Sequence, residues 1–145
     1  HTGNEVKEQA LEVLEFLTME HLRNEYARAL SGGQQKLLEL GRLLMLDPDI
    51  IILDEPFAGV HPKLMEVIYD YIRRVNEQGK AMIIISHQMD SIFALCERLL
   101  VLNYGDLIAD DTPDKVKNDP VVIEAYLGTN EDRSGTGQPE GTRSS

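Results

Sequence analysis

The stretch Ile50-Ile51-Ile52-Leu53-Asp54-Glu55-Pro56 decides the fold of this 145-residue chain. Its unbroken aliphatic run, rich in β-branched residues, is typical of a parallel strand buried on both faces. Two carboxylates follow at the carboxyl end of that strand, where ligands bind in parallel α/β sheets. Because successive side chains of a strand point to opposite sides, Asp54 and Glu55 can have different tasks.

Helical and strand patterns alternate on both sides of this stretch. The predicted helices cover residues 5–17, a segment that begins after Ser31 and ends at 47–49, 62–76 and 89–96, with two short ones near the end, the second at 120–127. The further predicted strands are Ala81–Ile85 and a hairpin of 98–102 with 107–109. This alternation predicts an α/β fold with a mostly parallel sheet flanked by helices.

Composition excludes several classes of protein. The net charge of −11 and the pI of about 4.7 argue against a nucleic-acid binder, which needs a basic face. No apolar run reaches the roughly 18–20 residues of a membrane span. With Cys96 as the single cysteine, no intrachain disulfide and no cysteine metal cluster can form, and we expect a buried, inert thiol. These features fit the cytoplasm best.

A second motif is Leu30-Ser31-Gly32-Gly33-Gln34-Gln35-Lys36. Ser31 is suited to cap the following helix, and the two glycines would let a ligand approach the backbone. The free N–H groups and the dipole of a helix start attract anions, phosphate above all. A plain helix start, without a ligand, is the alternative for this motif alone.

The acidic pair and a histidine complete the candidate site. One of the two acids, Asp54 and Glu55, can hold Mg²⁺ through water and the other can orient or deprotonate an attacking water, although two acids could also simply cap a turn. His87 ends the strand Ala81–Ile85, beside the carboxylates of the first strand. It could donate a hydrogen bond to a phosphate oxygen or to the water, or be a structural histidine.

In this order, the motifs resemble those of the ATP-binding subunits of ABC transporters, from near the N-terminus to Gly128. Leu30 to Gln34 resembles the family signature, and Ile50 to Glu55 resembles Walker B with its catalytic glutamate. The segment 58–61 stands where the D-loop stands, and His87 where the switch histidine stands. The resemblance implies a P-loop NTPase-like parallel sheet flanked by helices, truncated so that the P-loop strand and the N-terminal sheet are absent, with a C-terminal β-hairpin and helices.

The finer resemblance is to the branched-chain amino acid transport ATPases, through Phe57-Ala58-Gly59-Val60 and residues 118–128. Lipopolysaccharide-export ATPases share much of this sequence pattern, so they remain the alternative. His61 replaces the D-loop aspartate, which puts the communication between two ATP sites in doubt, although many members of this subfamily also lack that aspartate.

The P-loop pattern Gly-x-x-x-x-Gly-Lys-Ser/Thr does not occur in the chain, whose Gly79-Lys80 pair is followed by Ala81. The resemblance therefore implies that the P-loop precedes His1 and that the chain is the C-terminal portion of a subunit. We expect the parent subunit to hydrolyse ATP and the isolated chain to be inactive.

The resemblance also implies residue roles and partners. Ser31, Gly32, Gly33 and Gln34 would contact the γ-phosphate of an ATP held mainly by a second ATPase subunit. Asp54 would bind Mg²⁺ through water, and Glu55 and His87 would be catalytic. Transmembrane permease subunits would hold the protein at the inner face of the membrane.

Two further expectations concern organisation. Residues 1–48 would form a helical region that ends in the signature helix, 49–128 the C-terminal part of the ATPase core, and 129–145 a disordered tail. In the family's sheet, the strand 98–102 lies beside the strand that carries the P-loop, which is absent here. Its edge would therefore be exposed, so the isolated chain should form a homo-oligomer or a domain swap. A non-catalytic interaction module that retains the fold is the alternative function, and a DNA-repair ATPase is disfavoured by the acidic charge.

Overall fold

A computed structural model of the chain describes residues 2–127, which fall into two compact units divided between Leu95 and Cys96. The first unit contains four helices and two strands: α1 (Gly3–Phe16), α2 (Gly32–Leu46), β1 (Ile50–Asp54), α3 (Pro62–Glu77), β2 (Ala81–Ile85) and α4 (Met89–Leu95). Short 3-10 turns at Glu20–Leu22 and Ala27–Ala29 join α1 to α2. The second unit contains β3 (Leu99–Asn103), β4 (Asp106–Asp111), α5 (Pro113–Lys117), α6 (Pro120–Val122) and a π-helical turn, Ile123–Leu127.

The two strands of the first unit pair in parallel, with Ile50 opposite Ala81 and Asp54 opposite Ile85. Helix α3 makes the crossover between them, as the alternating pattern predicts. The predicted α/β fold and this parallel pair are confirmed. The carboxyl ends of β1 and β2 therefore lie side by side.

The core of the first unit lies between one face of β1 and the helices α2 and α3. Helix α3 contributes four inward side chains at helical spacing, Ile68, Tyr71, Ile72 and Val75. Leu37 and Leu40 of α2 and Ile51 and Leu53 of β1 complete this layer, with Leu17 and Phe57 from the adjoining loops. Each fully buried large aliphatic residue stabilises the fold by about 1.5–3 kcal/mol.

The prediction that β1 and β2 are buried on both faces is wrong for the part of the chain that the structure describes. Ile50 and Ile52 are 61% and 62% exposed, and Ile83 and Ile85 are 53% and 52% exposed. Only the alternate residues of β1, Ile51 and Leu53, are buried. Side chains alternate along a strand, and helices α2 and α3 cover one face only. The aliphatic run places apolar side chains on both faces of the strand. It does not supply the helices that would have to cover the second face.

The helix starts follow the predicted capping chemistry. Thr2 and Glu5 form a capping box at α1. Ser31 and Gln34 form a second box at α2, in which each backbone N–H donates to the other's side chain. Helix α3 begins with Pro62, and Nδ1 of His61 accepts the N–H of Lys63 at 3.2 Å. Helices α1, α2 and α3 thus begin where the sequence supplies a cap.

The second unit is built on the predicted hairpin, which is confirmed. Strands β3 and β4 pair antiparallel around a turn at Tyr104 and Gly105, both with positive φ. Arg98 donates two hydrogen bonds to the carboxylate of Asp110, at 2.7 and 2.8 Å. The Tyr126 hydroxyl donates to the carbonyl of Leu102 and ties the end of the described chain to β3.

Four further sequence expectations concern the domain division, the tail, Cys96 and membrane spans. The structure divides at Leu95 and Cys96, whereas the division at 48 and 128 was drawn on function and stays a prediction. The predicted tail, 129–145, lies outside the described residues. Cys96 is half-buried, and burial raises the pKa of its thiol. Among residues 2–127, no helix is long and apolar enough to cross a membrane.

Candidate functional site

The carboxyl ends of β1 and β2 bring three of the predicted residues to one edge of the parallel pair. Asp54 ends β1 on the exposed face of the sheet, and Glu55 follows it. His87 follows β2 after one intervening residue, Ser86. The structure thus joins two acids and a histidine from separate motifs in the place where parallel sheets bind ligands.

The backbone of Glu55 has an unusual conformation that its neighbours hold. Its φ is +49°, in the left-handed region that side chains other than glycine seldom adopt. Its N–H donates to the carbonyl of Ile85 at 2.7 Å, continuing the parallel ladder. Its carbonyl accepts hydrogen bonds from the N–H of Ala58 at 3.3 Å and from the Lys36 ammonium at 3.0 Å. Several bonds therefore fix this strained residue at the strand end.

The carboxylate of Glu55 has one paired and one unpaired oxygen. Oε1 lies 2.7 Å from Nδ1 of His87, and Oε2 has no hydrogen-bond partner among the described residues. The hydrogen bond to His87 holds the pKa of Glu55 below its ordinary value. Glu55 is therefore ionised at neutral pH, and its second oxygen, Oε2, is unpaired but shielded from solvent.

His87 uses one ring nitrogen on Glu55 and leaves the other for a ligand. An ionised carboxylate only accepts hydrogen bonds, so Nδ1 must be the donor. The His87 side chain is 75% exposed. While the Glu55 bond is kept, Nε2 can donate to an anion only when the ring is protonated. The predicted contact with a phosphate oxygen thus requires an imidazolium or a rotated ring.

The start of α2 is less open than the sequence suggests. Ser31 and Gln34 are already bonded to each other in the capping box. A Cβ at Gly32 would meet open space, but one at Gly33 would lie 2.7 Å from Cδ1 of Leu64. Gly33 therefore packs closely against α3, and a side chain at this position would require Leu64 to move. The expectation that both glycines admit a ligand stays a prediction.

The residues fit Mg²⁺ as a partial site only. Within residues 2–127, no group of three or more histidine, cysteine or acidic residues is arranged to hold a metal ion. Asp54 is exposed, and its carboxylate makes no hydrogen bond or ion pair with another described residue. A single free carboxylate suits Mg²⁺ that keeps several waters and takes its other ligands from substrate phosphates. It does not suit a metal centre built by the protein alone.

Sequence reasoning did not identify the residues that brace the site. Lys36 reaches the loop after β1 from α2, and Gln88 Nε2 donates to the Phe57 carbonyl of that loop at 3.4 Å. The Tyr69 and Ser91 hydroxyls lie 2.6 Å apart and join α3 to α4. The partners are 19 to 31 residues apart in sequence, so no local pattern could reveal them.

Comparison with known families gives two matches. Residues 2–58 match the family described as ABC transporter. Residues 107–132 match the family described as branched-chain amino acid ATP-binding cassette transporter. The two matches flank the segment that carries β2 and His87.

Individual relatives are similar along most of the chain. The probable branched-chain amino acid transport ATP-binding protein LivG of Methanocaldococcus jannaschii is 40% identical over 128 residues, covering 86% of this chain and 50% of the relative. The lipopolysaccharide export system ATP-binding protein LptB of Haemophilus influenzae is 36% identical over 127 residues, covering 88% and 53%. The chain thus spans about half the length of these relatives.

Solved structures agree with this similarity. The ADP conformation of an ATP-binding cassette of an ABC transporter matches with a TM-score of 0.75 and 38% identity, over 88% of this chain and 52% of that one. A nucleotide-free ATP-binding cassette from an ABC transporter matches with the same TM-score and identity, over 86% and 51%. The fold around Glu55 and His87 is therefore that of about half a cassette.

Proposed function

This chain belongs to the ATP-binding family of ABC transporters, and we propose that it is the C-terminal part of a subunit that couples ATP hydrolysis to membrane transport. The observation that carries the proposal is the Glu55 carboxylate, paired with His87 and held at the carboxyl ends of two parallel strands. A carboxylate that is ionised, oriented and partly unpaired is suited to activate a water molecule.

Glu55 is the proposed general base. His87 fixes Oε1, and the buried Oε2 would accept a hydrogen bond from the attacking water once a movement of the surrounding side chains uncovers it. His87 itself would contact the γ-phosphate through Nε2 in the protonated ring and offset charge that develops there. Orientation and charge are the main contributions that a protein makes to phosphoryl transfer.

The remaining site residues are proposed ligands. Asp54 would hold Mg²⁺ through water, and the bound ion would neutralise charge on the phosphates. Ser31, Gly32, Gly33 and Gln34 would meet the γ-phosphate of an ATP held mainly by a second ATPase subunit. Gly33 would do so through its backbone, since its missing side chain makes room for Leu64. ATP and Mg²⁺ are thus the proposed cofactors of the complete assembly.

The isolated chain should not be a competent ATPase. Its 145 residues do not include the P-loop pattern, whose backbone amides and lysine cradle the phosphates. The start of α2 and Asp54 offer a free triphosphate only a few solvated contacts. We expect millimolar affinity, which corresponds to about −4 kcal/mol.

Branched-chain amino acids are the proposed cargo, and lipopolysaccharide export is the second candidate. The family match at residues 107–132 and the similarity to LivG favour the first. The similarity to LptB, at 36% identity, favours the second. Purifying the full-length subunit with its bound membrane proteins tests this choice. Amino acid permease subunits support the first candidate, and lipopolysaccharide-export membrane subunits support the second.

We also propose that permease subunits hold the protein at the inner face of the membrane, and that the isolated chain associates with itself. Ile50, Ile52, Ile83 and Ile85 form an exposed apolar sheet face, and the two strands have open edges. Such faces and edges recruit another chain, which would give a homo-oligomer or a domain swap.

A phosphate-release assay tests the enzymatic proposal. It compares the chain alone, the chain co-expressed with the N-terminal segment that carries the P-loop, and that mixture with Glu55→Gln. We expect Mg²⁺-dependent turnover in the mixture only, lowered about 10²–10⁴-fold by Glu55→Gln. Substantial turnover by the chain alone would reveal a phosphate-binding element elsewhere in it. A folded mixture without turnover would favour a non-catalytic interaction module.

A further inference from the structure

The Lys36 ammonium donates its hydrogen bonds to backbone carbonyl oxygens rather than to a carboxylate. Its Nζ lies 3.0 Å from the carbonyl oxygen of Glu55 and 2.5 Å from that of Ala58. The side chain is half-buried, and it forms no ion pair with the described residues 2–127. Hydrogen bonds to the two carbonyls replace part of the water around the ammonium, and no acidic side chain in the described part of the chain pairs with it. These bonds therefore fix the position of the two carbonyls.

The two carbonyls belong to the turn that carries the proposed general base. The N–H of Ala58 donates to the same Glu55 carbonyl, which closes the turn. On the other side, the N–H of Glu55 is bonded to Ile85. Lys36 and β2 therefore hold Glu55 from opposite sides in its left-handed conformation. A change of that backbone conformation would turn the carboxylate away from His87.

A packing contact joins the same two parts of the fold. Gly33, one helical turn before Lys36, is close enough to α3 that a Cβ would lie 2.7 Å from Leu64. Helix α3 begins just after the turn that Lys36 binds. The first turns of α2 are thus held to the loop after β1 by a charged hydrogen bond and to α3 by close packing.

We propose that Lys36 is a positioning residue for the ATPase reaction, which acts by holding the turn Glu55 to Ala58 so that the Glu55 carboxylate faces the reacting water. This inference rests on the proposed role of Glu55 as general base. A displacement of about 1 Å at a reacting group can cost up to about 100-fold in rate. The Lys36 ammonium is occupied by these two carbonyls, so the proposal gives it no contact with the nucleotide.

The test uses the full-length subunit that contains this chain and measures kcat and KM for ATP. Lys36→Met should lower kcat about 10–100-fold and leave KM nearly unchanged. Lys36→Arg, whose guanidinium can still donate to both carbonyls, should recover most of the rate. Lys7→Met, on the exposed face of α1, is the matched control and should change neither constant.

The double variant distinguishes positioning from general damage. In a Glu55→Gln background, Lys36→Met should cause no further loss, because the base through which it acts is already absent. A normal kcat for Lys36→Met, or a full further loss in the double variant, would overturn the inference. A normal rate for Glu55→Gln alone would instead remove the proposed function on which it rests.

Folding is checked by thermal unfolding of every variant. If Lys36→Met does not fold, Lys36→Gln, which keeps one N–H donor, replaces it under the same criteria. Amide exchange in the chain itself gives a second reading. Exchange at Glu55 and Ala58 should accelerate in the neutral variant while the amides of α1 stay unchanged. Unchanged protection at both sites would also overturn the inference.

Discussion

Nδ1 of His87 lies 2.7 Å from Oε1 of Glu55, which joins the ends of two parallel strands across 32 residues of sequence. The bond has two effects that can be measured separately. It orients the carboxylate, and it favours the charged form of that carboxylate, so the pKa of Glu55 lies below its ordinary value.

The first prediction concerns that pKa. His87→Ala should raise the pKa of Glu55 toward its ordinary value of 4.5, as followed by carbon NMR titration of the carboxyl group. Because folding lowers this pKa, the pair stabilises the protein above pH 4.5, and the effect fades as the pH falls through the lowered value. His21→Ala, at an exposed histidine away from the site, is the control. An unchanged titration in His87→Ala would contradict the bond.

The second prediction separates helix capping from nucleotide contact. Ser31→Ala and Thr2→Ala each remove the hydroxyl of a capping box and should each destabilise the chain by about 1 kcal/mol in denaturant unfolding. Only substitution at Ser31 should weaken ATP-dependent association of the full-length subunits. Ser31→Arg should block it, because a bulky side chain fills the proposed phosphate position. Normal association of Ser31→Arg would count against the ligand role.

The third prediction concerns Tyr71, which is fully buried and stacks against Phe16 with ring centroids 6.5 Å apart. Its hydroxyl has no partner in the described structure, and burial raises its pKa to about 12. The unfolded chain ionises near its usual pKa of about 10, so stability falls between about pH 10 and 12. Tyr71→Phe should remove this alkaline loss and leave neutral stability unchanged or slightly higher.

Tyr69→Phe is the matched comparison for Tyr71→Phe. The Tyr69 hydroxyl is paired with Ser91, which is 3% exposed, so its removal leaves a buried hydroxyl unpaired. We expect a loss of about 1–3 kcal/mol in thermal or denaturant unfolding at neutral pH. Equal effects of the two substitutions would contradict the assignment of one paired and one unpaired hydroxyl.

The fourth prediction tests the exposed sheet face. Ile52→Glu should keep the fold, since this side chain is 62% exposed, and should shift the isolated chain toward monomer in light scattering. Val6→Glu places the same charge at an exposed position on α1 and should leave association unchanged. A wild-type chain that is strictly monomeric, with a well-protected sheet, would rule out the proposed oligomer.

The elements could be predicted because their ends carry local chemistry. Thr2 and Ser31 cap their helices, Pro62 occupies the first turn of α3, and Gly105 forms the hairpin turn. Each feature depends on residues within about one turn of itself, so its pattern is visible in the sequence. The pairing of β1 with β2 follows from the helix between them.

The features that could not be predicted from the sequence depend on contacts between residues that are far apart in the chain. The exposure of Ile52 depends on which elements cover the sheet, and an aliphatic run does not encode that. The position of Lys36 in sequence gives no sign of the two carbonyls it binds, 19 and 22 residues later. The sequence likewise gives no sign that Gly33 packs closely against Leu64, 31 residues later. Long-range packing decided all three.

The capping box of α2 has a kinetic consequence for any anion that binds there. Ser31 N–H donates to Oε1 of Gln34 at 3.0 Å, and Gln34 N–H donates to Oγ of Ser31 at 3.2 Å. A phosphate oxygen that takes either N–H must therefore replace an internal hydrogen bond, and its net gain is only the difference between the two. The displaced side chain can return as the anion leaves, so in the proposed nucleotide-binding role we expect the contact at these two N–H groups to form and break readily.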